Sequence, residues 1–118
     1  MTNTTSIETK EGPLHHTRSA IAVLNSSYVL IDASDSLCRL IGVEAEALRG
    51  VNWFRIFPGL SKDWKIKLDH TLHGVKDIVI TDPITGANGE MKNYVWQLNP
   101  WNDVSGKQYG IAITIAPE

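Results

Sequence analysis

The sequence predicts an α+β domain in which helices cover an antiparallel sheet. Three apolar segments, at residues 77–81, 93–98 and 109–115, are rich in the β-branched and aromatic residues that are typical of strands. Glycine together with asparagine or aspartate lies between them at 85–90 and 102–107, which predicts two turns and therefore an antiparallel meander. Two further strands, several short helices and one longer helix are predicted before this meander.

The composition indicates one globular domain that needs no metal and no disulfide. A chain of 118 residues with 42% hydrophobic residues can bury a self-sufficient core. The net charge of -2 gives no electrostatic reason to expect nucleic acid or an anionic membrane as a partner. Cys38 is the single cysteine, no secretory signal is present, and no apolar run approaches the ~20 residues that span a bilayer. We therefore expect a cytoplasmic domain without membrane contact.

The N-terminal segment is predicted to lie outside the folded domain. Residues 1–17 have no sustained hydrophobic periodicity, so we expect a flexible tail followed by one domain over 18–116. His15 and His16 are adjacent, and neighbours in sequence point apart in regular structure. We therefore expect no metal site at this pair.

The first predicted elements of the domain are a hairpin and a short helix. Residues 20–24 and 28–31 are short apolar strands around a polar turn at 25–27. Residues 32–35 offer N-cap side chains to a helix that Gly42 ends. The apolar stripe of this helix consists of Leu37, Leu40 and Ile41.

Two shorter features connect this helix to the next one. Residues 44–49 predict a further helical turn with acids early and arginine late, which Gly50 ends. Three aromatic residues within 51–57 are followed by Pro58 and Gly59, an order that predicts a type II turn.

The longest helix is predicted over residues 62–75, with Gly74 near its end. On a helical wheel His70 and His73 fall opposite the apolar stripe, so both are expected to face solvent or the helix flank. The stripe itself consists of Trp64, Leu68, Leu72 and Val75.

The middle strand of the meander is predicted to have one core face and one wetter face. Side chains alternate along a strand, so residues two apart share a face. The core face carries Tyr94, Trp96 and Leu98, and the wetter face carries Asn93, Gln97 and Asn99.

The order of these elements resembles a Per-Arnt-Sim (PAS) sensor domain. Residues 20–31, 34–42 and 48–50 are similar to its opening hairpin, its Leu-x-Gly-type helix end and its Glu-Leu-x-Gly turn. Residues 53–58, 72–74, 99–106 and 110–111 are similar to its second half. The resemblance covers about residues 18–116. Ser34 stands where many members have asparagine and Ala47 where many have glutamate, so the hydrogen bonds of those side chains must be rebuilt or absent.

The resemblance implies both a fold and a role. The implied fold is a five-stranded antiparallel sheet of order 2-1-5-4-3 with the helices from residue 35 to 75 on one face. The implied role is that of a sensory or regulatory domain, which binds a small ligand or partner and passes a conformational change to a C-terminal effector. A sensor histidine kinase is the first expectation for the parent protein and a diguanylate cyclase the next. We expect the domain to form a homodimer, and a ligand-free homodimerisation domain is the alternative role.

The implied ligand cavity lies between the sheet and the helix that begins at Lys62. The same side chains are most simply core residues, and the alternative is a wall that stacks a planar ligand. Apolar groups on the opposite sheet face, such as Val95 and Trp101, would suit a dimer patch. The cavity candidates are Trp53, Phe57, Trp64, Leu68, Leu72, Tyr94, Trp96, Ile111 and Ile113.

Cofactor chemistry has few candidates, and we expect no tightly bound cofactor and no metal. Haem-binding members ligate iron through a histidine on the long helix, which makes His70 and His73 the candidates, but both are predicted to face away from the cavity. Flavin-photoadduct members carry a cysteine in a Gly-x-Asn-Cys-Arg-Phe string. Cys38 lies on the earlier helix without that string, so we expect an inert, half-buried thiol.

Catalysis by this chain is not expected. A nucleophile and a base would have to come from Ser34, Asp32, Asp35 and the helix histidines, and no spacing forces them together. The sequence has no glycine-rich phosphate loop, His-Glu-x-x-His motif or paired-cysteine site.

Overall fold

A computed structural model describes residues 19–86, 88–102 and 108–118, which form one antiparallel sheet with helices over one face. The sheet order is β2-β1-β5-β4-β3, which confirms the predicted order and fold class. The strands are β1 Ala20–Asn25, β2 Leu30–Ala33, β3 Ile78–Thr85, β4 Met91–Asn102 and β5 Gln108–Pro117. The helices are α1 Asp35–Ile41, α2 Ala45–Leu48, α3 Trp53–Ile56 and α4 Asp63–Leu72. The predicted tail at 1–17, with His15 and His16, and most of the turn at 102–107 lie outside the described residues.

The last three strands are longer than their apolar centres indicated. Each continues through polar residues, because the backbone ladder needs a neighbouring strand and not an apolar side chain. Trp96 is paired with Ile80 on β3 and with Ile115 on β5, so the middle strand is held on both sides. Pro83 is tolerated within β3 because this strand lies at the sheet edge.

The hairpin between β1 and β2 differs from the prediction. The Asn25 side chain accepts hydrogen bonds from the backbone N–H groups of Ser27, at 2.8 Å, and Val29, at 3.0 Å. These bonds tighten the turn and place Tyr28 at a φ of 65°, which no strand residue adopts. The second strand therefore begins at Leu30 and not at residue 28, and it includes Asp32, which was predicted as a capping residue.

Ser34 supplies the N-cap of α1 and joins that helix to the first strand. Its hydroxyl accepts hydrogen bonds from the backbone N–H of Leu37, at 3.3 Å, and of Ile21, at 2.9 Å. It donates to the carbonyl of Ser19, at 2.8 Å, and the residue is fully buried. The serine that replaces the family's asparagine therefore rebuilds a hydrogen-bond network at this corner.

We expect Ser34→Ala to lower the free energy of unfolding by about 2 kcal/mol, because it removes a helix cap and leaves buried backbone groups without partners. Urea denaturation measures this change. Ser27→Ala is the matched control, because Ser27 is exposed and its backbone hydrogen bond to Asn25 is retained. Equal stabilities of the two variants would show that the network contributes nothing.

Two details of the helices were predicted incorrectly. Val75 is 47% exposed and not part of the buried stripe, because α4 ends at Leu72 and Gly74 then turns the chain at a φ of 97°. The turn at Pro58 and Gly59 is not type II, because Gly59 lacks the positive φ that this turn requires. It is closed by a 3.4 Å hydrogen bond from the Leu60 N–H to the Phe57 carbonyl.

The hydrophobic core lies between the helices and the inner face of the sheet. Tyr94, Trp96 and Leu98 are buried there, whereas Val95 and Gln97 between them are only half-buried, which confirms the predicted alternation. In the part of the chain that the structure describes, no helix has the length and apolar character needed to cross a membrane.

Candidate functional site

The centre of the core is a group of four aromatic rings, which we call the aromatic cluster: Trp53, Phe57, Trp64 and Trp96. They come from α3 and the residue after it, from α4 and from β4. The ring centroids of Trp64 and Trp96 lie 4.8 Å apart, as do those of Trp53 and Phe57, and Phe57 is 5.4 Å from Trp96. All three tryptophans are fully buried, so the rings pack against one another across the helix–sheet interface.

The indole N–H groups of this cluster are not equally satisfied. Trp64 Nε1 donates to the Asp82 carboxylate at 2.8 Å, and Trp96 Nε1 donates to the Asp82 backbone carbonyl at 3.0 Å. Asp82, on the edge strand β3, thus accepts hydrogen bonds from two indoles. Trp53 Nε1 is equally buried, but it has no hydrogen-bond partner among the described residues.

A surface groove reaches the aromatic cluster from the side of β3, and we call it the edge groove. Its volume is about 620 Å³, and Phe57 lines it while also contacting Trp53 and Trp96. Arg55 is the single charged side chain among the described residues that line it. Other lining residues, mostly apolar, include Leu48, Val51, Ile56, Pro83, Ile84 and Met91.

The structure brings the predicted cavity residues together, mostly as packed core. Leu72 is half-buried against this core, and Tyr94, which is 8% exposed, also lines a small polar groove with Arg39 and Lys92. That any of the nine binds a ligand stays a prediction. The six that are fully buried are Trp53, Trp64, Leu68, Trp96, Ile111 and Ile113.

Sequence reasoning did not single out Asp82 or the walls of the edge groove. Asp82 lies on the inner face of β3, in register with Tyr94, and its carboxylate binds an indole from α4. The available signal was a lone carboxylate within an apolar strand, a position where a charged group needs a partner. The groove walls come from several distant segments, so no local pattern marks them.

The two helix histidines lie where the helical wheel placed them. His70 and His73 are both exposed, on the side of α4 away from the aromatic cluster. His73 Nδ1 lies 2.8 Å from the Asp69 backbone oxygen at the end of the helix. Within residues 19–86, 88–102 and 108–118, no three histidine, cysteine, aspartate or glutamate side chains are grouped so that they could hold a metal ion.

Cys38 lies on α1 and lines a polar groove of about 480 Å³ together with Asp35 and Arg49. Burial raises the pKa of its thiol above the ordinary value, and the negative charge of Asp35 raises it further. Arg49 also forms an ion pair with Asp32, with 3.1 Å between Nη2 and Oδ1. The environment therefore favours the protonated, unreactive form of the thiol.

We expect the rate of Cys38 alkylation by iodoacetamide to reach half of its maximum at a higher pH than for a free cysteine, because only the thiolate reacts. The rate measured across a pH series tests this. Asp35→Asn should move the midpoint to lower pH, since it removes one of the charges that raise the pKa. A midpoint at or below that of free cysteine would contradict the expectation.

The fold and the site define a small α+β domain with a five-stranded antiparallel sheet and helices over one face. A family model described as PAS fold matches residues 14–117, which is most of the chain. The chain therefore belongs to the PAS family and is a PAS sensory domain. No curated protein matches the sequence.

Solved structures show the same fold at low sequence identity. VqmA bound to DPO, from Vibrio cholerae, superposes with a TM-score of 0.79 at 16% identity, covering 95% of this chain and 57% of the VqmA chain. A PAS domain from Colwellia psychrerythraea gives 0.75 at 12% identity, covering 96% and 97%. A PAS domain from a two-component sensor histidine kinase gives 0.67 at 11% identity, covering 98% of each chain. This chain thus spans about half of the length of VqmA.

Proposed function

We propose that this domain is the ligand-responsive input of a multidomain signalling protein, and that a small, mostly apolar ligand binds in the edge groove. The observation that supports this is the groove itself, which is lined by Phe57, a ring of the aromatic cluster. Its volume of about 620 Å³ falls within the range of small-molecule sites. VqmA, described as bound to DPO, is a ligand-binding protein with the same fold.

The signal would leave the domain through β5. Trp96 of the cluster is paired directly with Ile115 of β5, and Leu98 with Ile113. β5 is the central strand of the sheet and lies between β1 and β4. A ligand that favours one packing of the cluster would therefore favour one arrangement of β5, and an effector on its C-terminal side would respond to this shift in population.

For the parent protein we propose a cytoplasmic sensor histidine kinase, with a diguanylate cyclase as the next candidate. The histidine kinase PAS domain that matches over 98% of both chains supports the first. A transcription regulator is a third candidate, because VqmA is described in a complex with ligand and DNA. The net charge of -2 supports an arrangement in which this domain itself does not contact nucleic acid.

We propose that the domain has no catalytic activity of its own. The Ser34 hydroxyl is fully buried and bonded to backbone groups, which removes it as a nucleophile. Asp32 is paired with Arg49, and the histidines of α4 are on another surface of the domain.

A homodimerisation domain is the second candidate, and the outer face of the sheet favours it. Val79 is 56% exposed on this face of β3, and Val95 and Trp101 of β4 are half-buried there by strand alternation. A partner of the same kind would cover these apolar groups. One neighbour is described as a VqmA dimer.

Native mass spectrometry, with an absorbance spectrum of the same sample, distinguishes the two candidates. After incubation with a small-molecule extract of bacterial cells, we expect an added mass on the wild-type protein. Ala47→Trp, which fills the edge groove, should lose that mass. The matched control is Ala45→Trp, which lies on the same helix but lines the Cys38 groove, and it should keep the mass. A bare protein whose dimer fraction rises with concentration would favour the dimerisation domain instead.

A further inference from the structure

Trp53 carries the one buried side-chain donor or acceptor of the described residues that has no hydrogen-bond partner. Such groups are rare in folded proteins, because a buried donor without an acceptor has lost its water and gained nothing. The other two tryptophans of the cluster differ from Trp53 in this respect. Trp64 and Trp96 are buried to the same extent, and both donate to Asp82.

Phe57 both lines the edge groove and contacts the Trp53 ring, which does not itself line the groove. The Phe57 ring lies 4.8 Å from the Trp53 ring and 5.4 Å from the Trp96 ring, and it also lines the groove. Phe57 is the C-cap of α3: its backbone N–H still donates to the Trp53 carbonyl at 3.0 Å, but its φ of -126° and ψ of 76° are no longer helical. Its side chain is only half-buried. Phe57 is therefore the ring of the aromatic cluster that would have to move for a ligand in the groove to approach the Trp53 indole.

Building on the proposed ligand site, we propose that the ligand presents a hydrogen-bond acceptor to Trp53 Nε1 and that the Phe57 ring turns aside to admit it. The chemical class is an uncharged, flat molecule with an unprotonated ring nitrogen or a carbonyl oxygen. It is uncharged because a buried charge needs a partner, and the Asp82 carboxylate beside the cluster is already bonded to Trp64. It is flat because it takes the place of an aromatic ring that contacts two other rings.

Pyridine and benzene form a matched pair of probes for this inference. They have nearly the same shape, but only pyridine has an acceptor, and its nitrogen carries no proton at mildly alkaline pH. Each is titrated into the wild-type domain while the indole N–H signals of the tryptophans are followed by NMR. We expect pyridine to bind about tenfold more tightly than benzene, since one hydrogen bond is worth about that factor. The Trp53 indole proton should move downfield with pyridine and not with benzene.

Two variants assign the preference to Trp53. Trp53→Phe keeps an aromatic ring but removes the donor, and pyridine should then bind no more tightly than benzene. Trp101→Phe is the control, because it removes an indole on the outer face of the sheet, outside the aromatic cluster, and the pyridine preference should remain. The wild-type titration needs neither variant, so it decides the question even if a variant fails to fold.

Each contrary result has a defined meaning. Equal binding of both probes, with shifts at the groove residues Leu48 and Ile84, would overturn the acceptor and leave the proposed ligand groove intact. Binding of neither probe would overturn both proposals. Nuclear Overhauser contacts from Phe57 to Trp53 that persist in the saturated pyridine complex would overturn the movement of Phe57.

Discussion

Replacing Trp96 with alanine should lower the free energy of unfolding by about 3 to 5 kcal/mol, or unfold the domain at room temperature. Trp96 is fully buried and contacts the rings of Trp53, Phe57 and Trp64. The substitution would leave a large cavity between helices and sheet and would remove the hydrogen bond to the Asp82 carbonyl. Urea denaturation followed by far-UV circular dichroism measures the change.

Trp101→Ala is the matched control for this prediction. Trp101 is on the same strand, but strand alternation places it on the outer face, where it is only half-buried. We expect a loss of less than about 2 kcal/mol for this variant. Near-wild-type stability of the Trp96 variant, combined with lost ligand binding, would show that Trp96 is a cavity wall and not a core residue.

Replacing Gly110 with alanine should cost about 3 kcal/mol or more, because the new methyl group has no room. Gly110 is on β5, paired with Asn25 of β1. A Cβ atom there would overlap the carbonyl oxygen of Leu24 and would lie 3.1 Å from the Cα of Asn25. Both neighbours are backbone atoms of the adjacent strand, so the two strands would have to separate. Thermal and urea unfolding measure the loss.

Gly59→Ala is the control, because nothing lies within 4 Å of a Cβ atom at that position and its φ is not positive. Its free energy of unfolding should stay within about 1 kcal/mol of the wild-type value. A small gain is expected where alanine reduces the conformational entropy of the unfolded chain. A stability of Gly110→Ala equal to that of Gly59→Ala would contradict the close approach of β1 and β5 at this position.

The sequence predicted the strand centres and the core face of β4, because hydrophobic alternation is a local signal. It did not predict the strand ends or the position of Tyr28. The ends depend on which partner strand continues the ladder, and the Tyr28 backbone depends on the hydrogen bonds that the Asn25 side chain makes within the turn. Val75 was assigned to the core for a related reason: a helical wheel places every residue correctly only as far as the helix continues, and α4 ends at Leu72.

The sequence predicted which aromatic residues lie together at the candidate site, but not the groove beside them. The aromatic residues could be grouped because they share apolar faces of separate elements, and the structure does bring them into one cluster. The edge groove could not be predicted, because its walls come from α1, α2, α3 and the β3–β4 edge. The unsatisfied state of Trp53 could not be predicted either, since the acceptors of buried indoles come from residues far away in sequence, as Asp82 does for Trp64 and Trp96.

The spacing of the tryptophans gives the domain an internal optical label. Trp53, Trp64 and Trp96 have ring centroids within 4.8 to 6.2 Å of one another, close enough for their electronic transitions to couple. The near-ultraviolet circular dichroism of the protein should therefore be dominated by these three residues, while Trp101 contributes little. Any compound that displaces Phe57 would change that spectrum, so ligands can be screened without attaching a dye.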